Sequence, residues 1–174
     1  MAQAIIPIPA ITGTTENEGT STYRAYAQSF KWIYSLNLNE IWVYGLGGDV
    51  TSSIHGAFVN IKNDNAGVPG SIVATLGNMF GGPTYDTPMW KNFTGEDIVL
   101  TLGTTYWINF ECYPFGINWR YAKLFSSSSS QYSDGTLKKY NYGTSSWEDT
   151  TTDLLFYLVS NVGTPLPSFL PSLI

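Results

Sequence analysis

The residues that most often perform catalysis are scarce in this sequence. It contains one histidine, His55, and one cysteine, Cys112, in 174 residues. A nucleophilic mechanism would need a serine or Cys112 beside His55 together with an orienting acid, and no G-x-S-x-G segment occurs. His55 falls on the same side of a predicted strand as Val59 and Ile61, which favours a core or half-buried position. Cys112 is expected to act as a small apolar residue of the core.

Carboxylates are the remaining candidates for catalysis. Four of them could converge on a glycosidic bond as acid and base, although nothing in their spacing places them together. They are Asp97, Glu111, Asp149 and Asp153. The sequence also lacks the clustered His and Cys residues that hold zinc or redox metals, so we predict no such metal and no cofactor. A non-catalytic protein is therefore expected, and a glycoside-active enzyme is kept as an alternative.

The segment "KNDNAGVPGSIVATLGN", residues 62–78, joins a polar, glycine-rich stretch to an apolar strand. Asp64 and its two neighbouring asparagines suit a turn, Gly67 and Gly70 permit positive φ, and Pro69 presets the backbone before the strand resumes. A calcium site would need about six oxygen ligands, and this loop offers one carboxylate, Asp64, and two amides. Turn chemistry is therefore the favoured interpretation, with calcium binding at Asp64 or sugar contact as alternatives.

Aromatic residues form the second chemical signal. Flat rings beside amides and carboxylates are the combination that sugar recognition uses, because rings stack on C–H faces and polar groups bond the hydroxyls. The candidate glycan-binding residues are Trp90, Trp119, Tyr121, Tyr132, Tyr140, Tyr142 and Trp147. The region 125–153, rich in Ser, Tyr, Gly and Asn, has the composition of adaptable binding loops and also of plain solvated ones. Each ring taken singly could equally fill the core of the domain.

Composition excludes several classes of partner. The formal net charge is −5 with only 8 Lys and Arg residues, so neither nucleic acid nor an anionic membrane surface is an expected partner. No apolar run approaches the roughly 20 residues of a membrane-spanning helix. The start "MAQAIIPIPAITG" lacks a basic region and is interrupted by Pro7 and Pro9, which argues against a signal peptide. We therefore expect the chain to become external by assembly, by export without a signal, or after removal of a leader.

Apolar residues recur with a period of two, which predicts strands throughout and no helix. The short segments are separated by Gly, Pro, Asn and Ser, as in antiparallel sandwiches. In the segment "GTTYW", Gly103 is expected to turn a hairpin between two strands. Predicted strands cover residues 24–32, 39–45, 53–63, 71–76, 98–102, 106–111, 118–125, 136–143 and 153–160. The fold class predicted is all-β, a single antiparallel β-sandwich of jelly-roll type over residues 21–161.

The two ends differ from this pattern. Residues 1–20 are expected to form an N-terminal arm. Residues 162–174, "VGTPLPSFLPSLI", are apolar, uncharged and rich in proline, which favours extended backbone and excludes a helix. This tail could pack over its own domain, dock on a neighbouring subunit, or be disordered. Its candidate assembly residues are Pro165, Leu166, Phe169, Leu170 and Leu173.

Several segments, taken in order, carry a family likeness. They are "AQSF", "LNEIWVYG", "NIKNDNAGVPGSIVATL", "VLTLGTTYWINF" and "DLLFYLV". Together they resemble the choice-of-anchor group of extracellular jelly-roll-like β-sandwich domains, over residues 23–160. The resemblance implies a non-catalytic domain on the outside of a cell or a virion, often near carbohydrate.

The resemblance and the absence of a recognisable leader together predict a virion surface or structural protein, such as a capsid, turret, spike or decoration subunit. Such a protein would assemble into homo-oligomers through its terminal arms and contact other virion or surface proteins. The alternative is an extracellular carbohydrate-binding or adhesion module that recognises a host-surface glycan. The sequon Asn92-Phe93-Thr94 would permit glycosylation in a suitable compartment.

Overall fold

The computed structural model describes residues 2–4, 14–18, 23–46, 57–79, 89–112, 123–127 and 132–161. Within these ranges the chain forms thirteen β-strands and no helix, which confirms the all-β prediction. None of the described residues belongs to a helix that could cross a bilayer.

The strands are β1 (Ala2–Ala4), β2 (Thr14–Glu18), β3 (Tyr23–Lys31), β4 (Leu38–Leu46), β5 (Ala57–Asp64), β6 (Pro69–Met79), β7 (Met89–Ile98), β8 (Thr105–Cys112), β9 (Lys123–Ser127), β10 (Leu137–Asn141), β11 (Ser146–Asp149), β12 (Asp153–Leu154) and β13 (Phe156–Asn161). The strands at residues 2–4, 14–18, 89–98 and 146–149 were not among those predicted from the sequence.

The strands form two antiparallel sheets, and the predicted β-sandwich is confirmed. Sheet A has seven strands: β1, β13, β4, β9 and β12 lie side by side, β7 adds to β4, and β2 adds to β9. Sheet B has six strands in the order β11, β10, β3, β8, β5, β6. The jelly-roll connectivity stays a prediction.

The core lies between the inner faces of the two sheets. The alternation predicted for β8 is confirmed, because Tyr106, Ile108 and Phe110 point into this core. Sheet A contributes Ile41 and Val43 from β4 to the same cluster. Apolar side chains of both sheets thus bury a continuous layer, which is the main source of stability for a fold of this kind.

A polar contact joins the sheets inside this apolar layer. Gln28, from the "AQSF" segment in β3, has no exposed surface. Its Nε2 donates to Oδ1 of Asp153 at 3.2 Å, and its Oε1 accepts the backbone N–H of Leu154 at 2.9 Å. Both partners belong to β12 of sheet A, so Gln28 fixes the position of one sheet relative to the other.

The other residues of this segment are structural as well. The hydroxyl of Ser29 accepts the N–H of Thr136 at 2.8 Å and so holds the start of β10. Phe30 is fully buried in the core, while Ala27 is fully buried on the opposite face of β3. The "AQSF" motif is therefore explained by packing and sheet pairing.

The strand predicted at residues 98–102 is wrong. β7 ends at Ile98 in sheet A, and β8 begins at Thr105 in sheet B, so the segment between them crosses from one sheet to the other. Gly103 has a φ of 80° and turns this crossover, not a hairpin as predicted. Its N–H donates to the carbonyl of Trp32 at 2.6 Å. A two-residue repeat cannot distinguish a crossover from a strand, since both expose alternate side chains.

The predicted strand 153–160 is interrupted at Leu155. The backbone N–H of Leu155 donates to the carbonyl of Phe125 at 2.8 Å, and its carbonyl accepts the N–H of Tyr44 at 2.9 Å. The chain therefore changes partner here: β12 pairs with β9, and β13 pairs with β4.

The structure describes part of the predicted N-terminal arm and none of the predicted C-terminal tail. Within the predicted arm of residues 1–20, β1 pairs with β13 and β2 pairs with β9, so both add to sheet A of the same chain. The tail at residues 162–174 lies outside the described residues, as do His55 and residues 118–122 of a predicted strand.

Candidate carbohydrate-binding surfaces

The loop between β5 and β6 is a two-residue hairpin turn. Asn65 and Val68 bond each other through both backbone pairs, with N···O distances of 2.8 and 3.3 Å. The residues between them, Ala66 and Gly67, have φ values of 53° and 83°. Positive φ at both central positions is the type I′ geometry that matches strand twist. The turn predicted for this stretch is confirmed.

Asp64 uses both carboxylate oxygens to stabilise this turn and its surroundings. Oδ2 accepts the N–H of Gly67 at 3.1 Å, and Oδ1 accepts the indole N–H of Trp107 at 2.8 Å. Among the described residues, no three His, Cys, Asp or Glu side chains come together as a metal site. The carboxylate proposed as a calcium ligand therefore orients Trp107 and closes the turn.

Gly70 is needed for a different reason from the one predicted. Its φ is not positive; instead, a Cβ at this position would lie 3.2 Å from the carbonyl oxygen of Asn63. The glycine thus allows β5 and β6 to approach closely just after the turn.

The outer face of sheet B carries a row of polar residues beside Trp107. Nζ of Lys62 lies 2.6 Å from Oε1 of Glu111, and the same oxygen accepts the side-chain N–H of Asn109 at 3.0 Å. Asn109 and Asn60 lie opposite each other in the β5–β8 pair, and both are buried. The middle of this face is therefore closed to solvent and is not an open binding platform.

The four carboxylates considered for hydrolysis lie on four different strands. Glu111 pairs with Lys62 on β5, and Asp149 pairs with Lys138 on β10. Asp153 is buried against Gln28. The remaining one, Asp97, accepts the side-chain N–H of Asn39. Each carboxylate thus lies on a different strand and bonds its own partner.

The hairpin formed by β10 and β11 has a rigid tip. Oδ1 of Asn141 accepts the N–H of Gly143 at 2.9 Å and that of Thr144 at 3.4 Å, which is an Asx-type turn. Nδ2 of the same residue donates to Oε1 of Glu148 at 2.7 Å across the hairpin. Ser145 completes the reversal with a φ of 53°. One asparagine therefore holds both sides of the tip in place.

Three of the predicted glycan-binding residues meet on this hairpin. Tyr140 lies opposite Trp147 in the strand pair, with ring centroids 5.3 Å apart and planes at 64°. The ring of Tyr142 at the tip lies edge-on to Tyr140, with centroids 6.2 Å apart. Tyr142 is 55% exposed, whereas the other two rings are half-buried. We call these three residues the aromatic hairpin.

An exposed carboxylate borders the aromatic hairpin. Asp149 lies two residues beyond Trp147 on β11, hence on the same face of the strand. Its side chain is 69% exposed even though Oδ1 lies 2.5 Å from Nζ of Lys138. An accessible acceptor therefore lies on the same face of β11 as the ring of Trp147, and sugar recognition combines such acceptors with stacking rings.

A second aromatic group covers part of the outer face of sheet A. It contains Trp90, the only member that the sequence analysis had proposed for glycan binding. Trp90 contacts Tyr157 and Tyr44 with ring centroids 5.0 and 5.4 Å apart, and Trp42 stacks on Tyr157 at 5.5 Å with planes at 7°. All four rings are half-buried. We call this set the sheet A aromatic group.

Trp42 and Tyr157 were not predicted to bind glycan, although their positions in the sequence indicate that they share an outer surface. Trp42 alternates with the core residues Ile41 and Val43, and Tyr157 alternates with Phe156 and Leu158. Large aromatic side chains at the outward positions of two strands indicate a ring cluster if those strands are neighbours. The pairing of β4 with β13 is a tertiary contact that alternation within one strand does not reveal.

Glu40 supplies an acidic group at this second surface. Its Oε2 accepts the indole N–H of Trp42 at 2.7 Å. Burial raises the pKa of Tyr157 above its ordinary value of 10.0, and the negative charge of Glu40 raises it further. Asn92, the sequon asparagine, is exposed and lies opposite Trp42 in the β4–β7 pair.

Tyr132, another predicted glycan-binding residue, packs at the margin of the core. The hydroxyl of Tyr132 accepts the N–H of Lys31 at 3.0 Å, and its ring packs edge-on against Phe156 at the margin of the core. Trp119 and Tyr121 lie outside the described residues. The assembly candidates of the tail also lie outside them; they are Pro165, Leu166, Phe169, Leu170 and Leu173.

Comparison of the chain with protein-family models, with curated proteins and with solved structures found no match. The likeness to choice-of-anchor domains therefore stays a prediction.

Proposed function

We propose that this protein is a non-catalytic β-sandwich that binds carbohydrate on the outside of a cell or virion through its aromatic hairpin. The observation that carries the proposal is the meeting of Tyr140, Tyr142 and Trp147 on one hairpin. The hairpin tip is held by the hydrogen bonds of Asn141, so the rings lose little freedom when a ligand binds.

A neutral saccharide fits the chemistry of this surface. The exposed ring of Tyr142 offers a stacking face, and Asp149 offers an accessible acceptor for hydroxyl groups. The protein has a net charge of −5, which disfavours sulfated or other strongly anionic glycans. Neutral hexose-containing glycans, such as those of a host surface, are the ligand class we propose.

A glycan array probed with the intact, labelled protein tests this proposal. Binding should be specific for neutral glycans and should weaken in the variants Tyr142→Ala and Trp147→Ala. Loss of a stacking ring worth about 0.5–1.5 kcal/mol corresponds to a decrease in affinity of about 2- to 12-fold. Ile72→Ala is a suitable control, because this exposed aliphatic side chain lies on β6, at the opposite edge of sheet B from β11.

The sheet A aromatic group provides the comparison that makes the experiment decisive. If Trp42→Ala abolishes binding and the hairpin variants bind normally, the carbohydrate site is on sheet A and the assignment to the hairpin fails. If the intact protein binds no glycan on a broad array, carbohydrate binding itself is refuted.

A second candidate function is that of a virion structural or surface protein that assembles into homo-oligomers through its terminal arms. The observation that favours it is a set of exposed aliphatic side chains at one end of the sandwich, because exposed apolar surface is a common mark of protein contacts. The two roles are compatible, since a subunit held by one end can display a hairpin at the other. The solution mass of the full chain, measured by light scattering, tests it: a defined oligomer supports assembly, and a monomer at all concentrations refutes it.

A further inference from the structure

One end of the sandwich presents aliphatic side chains to solvent. Ile33 is 56% exposed, Val99 is 74% exposed and Leu102 is 61% exposed. Ile33 follows the end of β3, and the other two lie in the crossover between β7 and β8. We call these three residues the apolar end.

The topology places the three residues at the same end. Trp32 bonds the crossover through its N–H to the carbonyl of Thr104 at 2.9 Å and through its carbonyl to the N–H of Gly103 at 2.6 Å. Ile33 is adjacent to Trp32, and Leu102 is adjacent to Gly103, so the two exposed side chains lie next to these backbone hydrogen bonds. Val99 comes directly after Ile98, the last residue of β7.

Buried neighbouring residues and a hydrogen bond fix the backbone of the apolar end. Trp32, next to Ile33, and Leu100, next to Val99, are buried in the core. The N–H of Thr101 donates to the hydroxyl of Tyr106 at 2.9 Å, which holds the middle of the crossover. The exposed side chains thus project from backbone that is fixed on both sides, a preorganised surface that costs little to bind.

β13, the last described strand, finishes at the same end of the sandwich as the apolar end. Ser160, in β13, pairs with Leu38, and Leu38 pairs on its other side with Ile98. The hydroxyl of Ser160 donates to the carbonyl of Asn37 at 2.6 Å. Two strand spacings of about 4.8 Å separate β13 from β7, so Asn161, the last residue that the structure describes, lies about 10 Å from Val99.

Residues 162–174, which follow β13 in the sequence, have a composition that suits contact with an apolar surface. Residues 162–174 carry no charge and include Leu166, Phe169, Leu170 and Leu173. Three prolines, at positions 165, 167 and 171, favour extended backbone, in which 13 residues would reach about 40 Å. In that conformation the segment would reach beyond the apolar end of its own copy, which puts the equivalent surface of a neighbouring molecule within its range.

We propose that residues 162–174 of one copy dock on the apolar end of a second copy. The contact buries aliphatic and aromatic side chains from both copies and involves no charged group. If two copies exchange tails reciprocally, the arrangement closes into a dimer and leaves the apolar end of neither exposed. The inference rests on the second proposed function, homo-oligomeric assembly, and names the two surfaces that perform it.

Substitutions in the full chain test both halves of the contact. Phe169→Ser with Leu170→Ser removes the anchors of the tail, and Val99→Ser with Leu102→Ser removes the surface. Light scattering after size-exclusion chromatography should show a defined oligomer for the unaltered chain and a monomer for each double variant. The control is Ile72→Ser on β6, because Ile72 is also 56% exposed and aliphatic but does not belong to the apolar end; this variant should keep the oligomer.

A mixing experiment separates exchange between copies from folding back within one copy. The tail variant retains an intact apolar end, and the surface variant retains an intact tail. Exchange between copies predicts that an equimolar mixture forms a mixed dimer, although each variant alone is monomeric. A synthetic peptide of residues 162–174 should also bind the tail variant and not the surface variant.

The outcomes distinguish this inference from the proposal on which it depends. If the unaltered chain and both double variants form the same oligomer, assembly stands and tail docking is overturned. If the unaltered chain is monomeric and the peptide still binds the tail variant, the tail covers its own domain and exchange between copies is overturned. If the chain is monomeric and the peptide does not bind, both proposals fail.

Discussion

Gln28 gives the sharpest test of how the two sheets are held together. The side chain is fully buried and bonds two groups of β12 in the opposite sheet, the carboxylate of Asp153 and the backbone N–H of Leu154. The variant Gln28→Met keeps an unbranched side chain of similar length and removes both of these hydrogen bonds, together with a local one from Nε2 to the carbonyl of Ser29 at 3.1 Å. It therefore isolates the polar contact from the packing.

The cost follows from the groups that lose their partner. A buried backbone N–H left unsatisfied costs about 1–3 kcal/mol, and a hydrogen bond to a charged carboxylate contributes about 1.5–3 kcal/mol. The sum for Leu154 and Asp153 is about 2.5–6 kcal/mol, and we expect a decrease of roughly 3 kcal/mol in the free energy of unfolding, because local relaxation recovers part of the loss.

Equilibrium urea unfolding of Gln28→Met measures this decrease, with the m-value as a check that the unfolding transition stays comparable. Thr75→Met, at an exposed position of β6, is the control for adding a methionine and should change stability by less than about 0.5 kcal/mol. A double-mutant cycle with Asp153→Ala should give a coupling energy of about 1.5–3 kcal/mol. A stability of Gln28→Met within about 0.5 kcal/mol of the unaltered chain would refute the reasoning.

Two further predictions concern backbone strain and pH. Gly103→Ala should destabilise the fold by about 1–2 kcal/mol in urea unfolding, because the φ of 80° is costly for alanine although no atom lies within 4 Å of the added Cβ; an unchanged stability would contradict this. The pKa of Tyr157 is raised above 10.0 by burial and by the negative charge of Glu40, so the folded state favours the neutral phenol. The stability that the neutral phenol contributes is complete below pH 10. It is lost as the pH rises through the higher pKa of the folded state. In an absorbance titration near alkaline pH, Tyr157→Phe should remove a late-ionising tyrosine, and removal of an early one instead would show that the ring is solvated.

The aromatic hairpin and the apolar end lie near opposite ends of β3. β3 runs from Tyr23, near the aromatic hairpin, to Lys31, next to the apolar end. Its nine residues span about 30 Å. Association through the apolar end would thus leave Tyr142 and its neighbours accessible, so assembly and carbohydrate binding can be tested independently in the same protein.

The β-sandwich could be predicted from the sequence because its cause is local. The central strands, such as β4, β8 and β13, alternate core and outward residues with a period of two, and Gly, Pro and Asn mark many of the turns between strands. The hairpin turn after Asp64 followed from residue types with known backbone preferences. Tyr140 and Trp147 were candidates because of their residue type in a polar region, and the short β10–β11 hairpin brings them together because they are near in sequence.

Contacts between distant segments needed the tertiary structure. The crossover at Gly103 reads as a hairpin in the sequence, because a local pattern does not tell which sheet the next strand joins. For the same reason Trp42 and Tyr157 meet Trp90 only when β4, β7 and β13 come side by side. Periodicity determined which residues face inward, and the pairing of strands far apart in sequence decided which outward-facing side chains share a surface.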